Sequence, residues 1–310
     1  MSAAEFDLIA RFFDWPAKHK LNRLSVGDDC ALCCVPAGHE LAVTTDTMVA
    51  GVHFFETVKP AFLGHKLLAV NLSDLASMGA EPFAVTLALT LPRVDEDWLA
   101  DFSAGLRQLA ERYSVDLIGG DTTSGPLTLT LQAMGIVPEG LALRRDGAQP
   151  GDLIYVTGTL GGGGLGLKIA QGYQSILPEM ALQRFHCPEP QLKHGLALRG
   201  IASACIDISD GLAQDLGHIL AKSNVGACLD WEQIPLSASV RDYIEQTGDW
   251  QLPISGGDDY QLCFTVPPEK QHQLTTDYTR IGVIEAQPGL RINRQGKAQT
   301  IQAKGYEHFS

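Results

Sequence analysis

Apolar side chains along this chain recur with two different periods. Short runs rich in Val, Leu, Ile and Thr predict strands over residues 41–45, 84–91, 115–118 and 127–137. Two longer stretches between them carry the helical period. One covers about 61–78, ends at Gly79 with Pro82 beyond, and sets Asn71 and Asp74 three apart on one face. In the other, Trp98, Phe102, Leu106, Leu109 and Tyr113 form a single apolar stripe, as a helix lying on a sheet requires. The order strand, helix, strand, helix, strand predicts an α/β or α+β domain.

The periodicity stops after residue 138. Arg144, Arg145, Asp146, Gly147 and the pair Pro150-Gly151 predict a surface linker over 139–150, separating a domain 1–138 from a second domain 151–310. In the second, strand signals at 152–157, up to Asp207, and at 261–266, 280–285 and 290–293 predict α/β structure again. Helical signals near 191–202 and 211–222 alternate with them. A turn over 158–164 precedes a short helix, and the aromatics of 304–309 predict a tail that docks rather than frays.

Composition narrows the function classes. The chain has 310 residues, 45% hydrophobic and 19% charged, enough to bury the cores of two domains. A net charge of -13, from 23 basic against 36 acidic residues, repels a nucleic-acid backbone, and no basic stripe offsets it. No run reaches the roughly 18 apolar residues that span a bilayer, and the first residues do not read as a leader, so a cytoplasmic protein without a membrane partner is expected. Seven cysteines lie mostly among apolar neighbours and predict reduced core thiols; Cys30 and Cys33 have C-x-x-C spacing but no second pair to complete a zinc site.

Five times, an apolar run hands over to aspartate flanked by Gly, Ser or Thr. The five are Gly27-Asp28-Asp29, Thr44-Thr45-Asp46-Thr47, Asn71-Leu72-Ser73-Asp74, Gly119-Gly120-Asp121-Thr122 and Asp207-Ile208-Ser209-Asp210-Gly211. Aspartate is a poor former of strands and helix interiors, so its recurrence at element ends suggests carboxylates converging on one edge. Such a cluster raises its own pKa values unless cations neutralise it, and Mg²⁺ would leave coordination positions open for phosphates. Each motif alone also fits a turn or a cap. In the last, one aspartate suffices to cap the following helix, which leaves the other surplus. The paired glycines before Asp121 would let backbone N–H groups approach a phosphate closely.

Gly161-Gly162-Gly163-Gly164-Leu165-Gly166 fits a dinucleotide fingerprint after a strand and before a helix, yet no acidic strand end follows at the spacing a ribose contact needs. A Walker-type lysine loop and a Ser-His-Asp order are both absent from the sequence. Ser255-Gly256-Gly257-Asp258-Asp259-Tyr260 is a further glycine-acid turn, and His53 follows the Thr-Asp-Thr motif in aromatic surroundings.

In order and spacing these segments, with Thr44-Thr45-Asp46-Thr47-Met48-Val49-Ala50-Gly51-Val52-His53-Phe54 and Ala69-Val70-Asn71-Leu72-Ser73-Asp74-Leu75-Ala76, closely resemble the thiamine-monophosphate kinase family. That family belongs to the aminoimidazole-ribonucleotide-synthetase-like superfamily, and the resemblance covers nearly the whole chain. It implies an N-terminal domain that binds metal and ATP and dimerises through its sheet, and a C-terminal α/β domain that completes the substrate site. It implies phosphoryl transfer from ATP to thiamine monophosphate, giving thiamine diphosphate, in line and without a phosphoenzyme. Several Mg²⁺ ions would be held by Asp29, Thr44, Thr45, Asp46, Asp74, Asp121, Asp207 and Asp210. ATP would meet Gly120, Asp121, Arg145 and Ser209, and the substrate would meet His53, Asp258 and Tyr306. No general base is implied, because the acceptor is already an ionised phosphate.

The chain departs from the family's usual Ser-Gly-Gly-Glu-Asp-Tyr-Glu. Asp258 shortens the substrate-facing acid by one methylene, and Gln261 replaces a carboxylate with an amide. The glycine run at 161–164 is also richer than usual. The alternatives are another ATP-dependent enzyme of the same superfamily, or a Mg-nucleotide-binding protein without turnover.

Overall fold

A computed structural model of the protein describes residues 5–274 and 278–302. The expected docking tail at 304–309 lies outside the described residues. The chain divides into two compact units, Met1–Leu75 with Ala80–Gly140, and Ala76–Gly79 with Leu141–Ser310.

The first unit contains α1 (Glu5–Phe12), a two-stranded ribbon of β1 (Asn22–Leu24) and β2 (Leu32–Cys33), then β3 (His39–Val49), α2 (Pro60–Ser77), β4 (Glu81–Leu91), α3 (Glu96–Tyr113), β5 (Asp116–Ser124) and β6 (Thr128–Pro138). Its main sheet has the order β3-β6-β4-β5, with β4 and β5 parallel and the other neighbours antiparallel. Alternation gives the sheet two unlike faces. Leu129, Leu131 and Ala133 of β6 are fully buried on one face, while Leu41 and Val43 of β3 are about half exposed on the other. Leu67, Leu68 and Leu72 of α2 are wholly buried, each contributing about 2 kcal/mol of hydrophobic stabilisation. At the start of α3, Asp95 accepts from the backbone N–H of Trp98 at 3.1 Å, and Ser114 closes the helix in the left-handed conformation.

The second unit runs β7 (Leu153–Thr157), α4 (Gly162–Ala170), α5 (Pro178–His186), α6 (Leu192–Ala197), β8 (Ala204–Asp207), α7 (Leu212–Ser223), β9 (Gly226–Asp230), α8 (Ala238–Thr247), α9 (Leu252–Ser255), β10 (Leu262–Val266), β11 (Tyr278–Glu285), β12 (Gly289–Arg294) and β13 (Lys297–Ile301). Seven strands form one mixed sheet in the order β13-β12-β9-β11-β7-β10-β8. Strands β7, β8 and β10 are buried along their length, so they read as continuous apolar runs instead of alternating ones. Ile154, Val156, Ile206, Leu216, Leu229 and Ile292 meet in one core.

Three expectations change. The glycines before Asp121 do not form a loop, because β5 continues through them in parallel register with β4, pairing Leu87 with Gly120 and Ala88 with Asp121. Gly120 is required there by close approach: a Cβ on it would stand 1.9 Å from the carbonyl oxygen of Leu87. The glycine run likewise belongs to a helix, since α4 starts at Gly162. Cys30, Cys33 and Cys34 are exposed rather than core thiols, because the short β1–β2 ribbon buries neither side of β2. Among the described residues no helix is long and apolar enough to cross a membrane.

Candidate functional site

In the first unit the site is built from β3 and α2. Strand alternation turns Thr44 and Asp46 to the covered face of the sheet and Thr45 to the open face, where Gln132 donates to the Thr45 hydroxyl at 3.4 Å. The Thr44 hydroxyl donates to Asp74 Oδ2 across to α2. Asp46, two residues further along the same face, is pushed up to about 7 by burial and then by the charge of Asp74. Its Oδ2 is sealed from solvent and has no hydrogen-bond partner among the described residues. A buried carboxylate oxygen without a donor is costly, and a cation is the natural group to answer it. One hydroxyl and two carboxylates are hard oxygen donors of the kind Mg²⁺ prefers, so the residues present fit that ion.

The acid that follows the paired glycines, Asp121, stands apart from Asp46. The rows of the sheet link Asp46 to Leu131, Leu131 to Leu87 and Leu87 to Gly120. Gly120 is therefore three strand spacings, about 14 Å, from Asp46. Asp121 follows it, exposed, in register with Ala88 on the open face. Asp29 is exposed, and its backbone N–H donates to Asp28 Oδ1 at 2.9 Å. Among the described residues no group of three or more His, Cys, Asp or Glu side chains is gathered, so the first unit offers a cation two carboxylates and a hydroxyl and no larger acidic cluster. His53 accepts from the backbone N–H of Val49 at Nδ1, 3.0 Å away, so the neutral ring carries its proton on Nε2.

In the second unit two motif loops are laced together. Asp258 and Tyr260 donate backbone N–H bonds to the carbonyls of Ser209 and Ile208, both at 2.8 Å, and the Ile208 N–H returns one to Gln261 at 2.8 Å. Gly257 is pressed so close that a Cβ would lie 2.4 Å from the Ser209 carbonyl oxygen. The structure thus brings Ser209, Asp210 and Asp258 onto one pair of adjoining turns, with Asp207 ending β8 just before them. Arg145 is exposed, and its carbonyl accepts from the Ser223 hydroxyl at 3.1 Å. Tyr306 lies outside the described residues.

The start of α7 needs an acceptor for its leading backbone N–H groups. That role belongs to Asp215 in the first turn of the helix, whose Oδ2 accepts from the backbone N–H groups of Asp210 and Gly211 at 3.0 and 3.1 Å. Burial, followed by the charge of Asp210, pushes Asp215 up to about 7. The signal in the sequence was an acid inside the apolar stripe of Leu212, Leu216 and Ile219. Asp259 plays the same part for α4: it accepts from the N–H groups of Gly161 at 2.6 Å and Gly163 at 3.0 Å, and burial pushes it up to about 6. An internal carboxylate already fills the helix N-terminus that a dinucleotide pyrophosphate would occupy, which removes the fingerprint reading. Gln261 is buried, accepting from the Thr157 hydroxyl at 2.9 Å and donating to the Asp259 carbonyl at 3.4 Å. Its amide therefore serves the interior of the loop.

Two family descriptions match the chain: AIR synthase related protein, N-terminal domain, over residues 27–137, and AIR synthase related protein, C-terminal domain, over 149–294. A thiamine-monophosphate kinase of Salmonella typhimurium is 47% identical over 323 residues, covering 100% of this chain and 99% of the relative. The crystal structure of thiamine-monophosphate kinase from Stenotrophomonas maltophilia K279a superposes with a TM-score of 0.86 at 43% identity, covering 96% of this chain and 99% of the other. AaThiL complexed with AMPPCP and TMP superposes with a TM-score of 0.81 at 29% identity, over 89% of each chain.

Proposed function

The chain belongs to the thiamine-monophosphate kinase family of the AIR-synthase-related proteins, and from that premise we propose that it moves the γ-phosphoryl group of ATP onto thiamine monophosphate, yielding ADP and thiamine diphosphate. The observation in the chain that carries this reading is the Asp46 carboxylate, buried at Oδ2 with no donor among the described residues and facing the charge of Asp74. Transfer between two anions needs positioning and charge neutralisation more than covalent chemistry. Mg²⁺, when bound, supplies that neutralisation to the phosphates, and Thr44, Asp46 and Asp74 would hold it in the first unit.

The chain's own residues do the positioning. The Thr44 hydroxyl fixes the rotamer of Asp74, so that this carboxylate is oriented before a ligand arrives. In the second unit the laced turns fix Asp207, Ser209 and Asp210 for metal and nucleotide, and Asp258 for the substrate, which brings a cationic thiazolium ring and an amino group suited to a carboxylate. His53, with Nδ1 engaged by the backbone, is assigned to the substrate's phosphate by family resemblance. Asp29, Thr45, Gly120, Asp121, Arg145 and Tyr306 are assigned to the site by family resemblance alone. The acceptor phosphate is ionised near neutral pH, so attack requires no general base.

We further place the enzyme in the cytoplasm, where thiols such as Cys30, Cys33 and Cys34 stay reduced, and as a homodimer through the open face of the first unit's sheet. Leu41 and Val43 support that interface, being 47% and 51% exposed on a face that Thr45 and Thr47 keep otherwise polar. The test of the activity is coupled ADP release with and without thiamine monophosphate, with thiamine diphosphate identified by mass. ADP release that does not depend on thiamine monophosphate would refute it.

A further inference from the structure

We infer that Tyr260 is a positioning residue that holds the Asp258 carboxylate in the orientation that receives thiamine monophosphate. This rests on the reading of Asp258 as a substrate-facing acid.

The turn that follows α9 sends successive side chains in different directions. Asp259 points inward, where its two oxygens hold the N–H groups of Gly161 and Gly163. The residues on either side of it, Asp258 and Tyr260, both take left-handed backbone conformations, with φ of 65° and 48°. Few side chains tolerate that region, and a bulky aromatic one tolerates it poorly, so glycine or asparagine would satisfy the turn with less strain. The strain is sustained because the backbone is over-determined. The N–H of Asp258 is bound to Ser209 and that of Tyr260 to Ile208, while the intervening carboxylate is fastened to α4.

The tyrosine hydroxyl shows what the strained position achieves. It donates to Asp258 Oδ1 at 3.1 Å, a contact between residues i and i+2 that two left-handed residues make possible by curling the side chains toward each other. A hydrogen bond to an ionised carboxylate is stronger than one between neutral groups and restricts rotation of the carboxyl. Asp258 is one methylene shorter than glutamate and cannot adjust its reach by an extra torsion. A partner that fixes its rotamer therefore bears directly on how well it meets the substrate.

The experiment measures KM and kcat for each substrate in Tyr260→Phe, Asp258→Ala and the double variant, with the melting temperature of each. Tyr260→Phe keeps the ring and deletes the hydroxyl. We expect its KM for thiamine monophosphate to rise about tenfold, as loss of a hydrogen bond to a charged group predicts. Its kcat and its KM for ATP should change less than about twofold. Asp258→Ala should raise the same KM, and adding Tyr260→Phe to it should then have no further effect. An unchanged KM in Tyr260→Phe, or an equal rise in both backgrounds, overturns the inference while leaving Asp258 in place. A normal KM in Asp258→Ala refutes the substrate-facing reading of Asp258 and the inference with it. If Tyr260→Phe melts low, calorimetric titration with thiamine monophosphate below its transition decides by the same criterion.

Discussion

Asp46 in the first unit and Asp259 in the second are both acids pushed up from the usual carboxylate range by burial, to about 7 and about 6. Asp259 is met by two backbone N–H groups at the start of α4, and its charge completes that helix end. Asp46 has a second carboxylate, Asp74, for a neighbour and, among the described residues, no donor at Oδ2. Desolvation is thus the leading cause in both, and the difference lies in what answers it. A buried acid with internal donors fastens the fold, whereas one left without them is arranged for a ligand from outside. Asp215, raised to about 7 but holding the Asp210 and Gly211 amides, falls on the Asp259 side of this division.

The sharpest way to break the comparison is to neutralise each acid in turn. Asp46→Asn should lower turnover by about a thousandfold, the loss typical of removing a charge that organises the transition state. Its melting temperature without divalent cation should equal or exceed that of the wild type, because the substitution removes a buried like-charge contact. Added Mg²⁺ should raise the melting temperature of the wild type more than that of the variant. If Asp46→Asn melts well below the wild type, its carboxylate is a fastener like Asp259. Asp259→Ala should do the opposite and destabilise by about 3 kcal/mol in urea titrations, since two buried N–H groups lose their acceptor. Thiamine monophosphate kinetics in that variant should fail only in step with unfolding at the start of α4.

The next effect concerns the distant edge of the first sheet. Gly120→Ala forces a Cβ against the Leu87 carbonyl, where the gap is 1.9 Å, and should cost about 2 kcal/mol by shifting β5 off β4. Hydrogen exchange should quicken at residues 119–124 and leave β3 and β6 unchanged. A variant as stable as the wild type would show that β5 does not depend on this close approach.

That glycine also shows where the sequence misleads. Its residue type signals a close backbone approach, but the composition suggests a phosphate as the partner where the structure has the neighbouring strand, a long-range pairing that local composition does not encode. The α2 and α3 helices and strands β3, β4 and β6 were visible because their apolar periods are unbroken. By contrast β9, Gly226–Asp230, and β13, Lys297–Ile301, carry no clear strand signal: the first is short, and the second is an edge strand whose polar composition follows from its exposure. Motif recurrence points to all the aspartate motifs converging, of which the structure joins Thr44 and Asp46 to Asp74 and leaves Asp121 apart, while the roles of Asp215 and Asp259 are not written in that recurrence. Both look like ordinary site acids in sequence, and only the direction of the nearby N–H groups separates a cap from a ligand.

The smallest expected effect tests the same division through pH. A carboxylate whose folded pKa is raised binds its proton in the native state at pH values where the unfolded chain has released it, so stability falls as pH rises across that interval. For Asp259 the interval runs from the ordinary value near 4 up to about 6, and above it the cost is constant. Surface acids such as Glu111, lowered by hydrogen bonds from Lys18 and Arg107, act in the opposite sense and only at more acid pH. Each titrating group can contribute at most about 1.4 kcal/mol per pH unit. Unfolding free energies of the wild type and Asp259→Asn, measured from pH 4 to 8, should therefore converge toward pH 8 on a constant difference. Between pH 4 and 6 the variant should have the shallower slope by up to about 1 kcal/mol per unit. Parallel curves through that interval would mean that Asp259 is ionised throughout and that its two amide partners outweigh its burial.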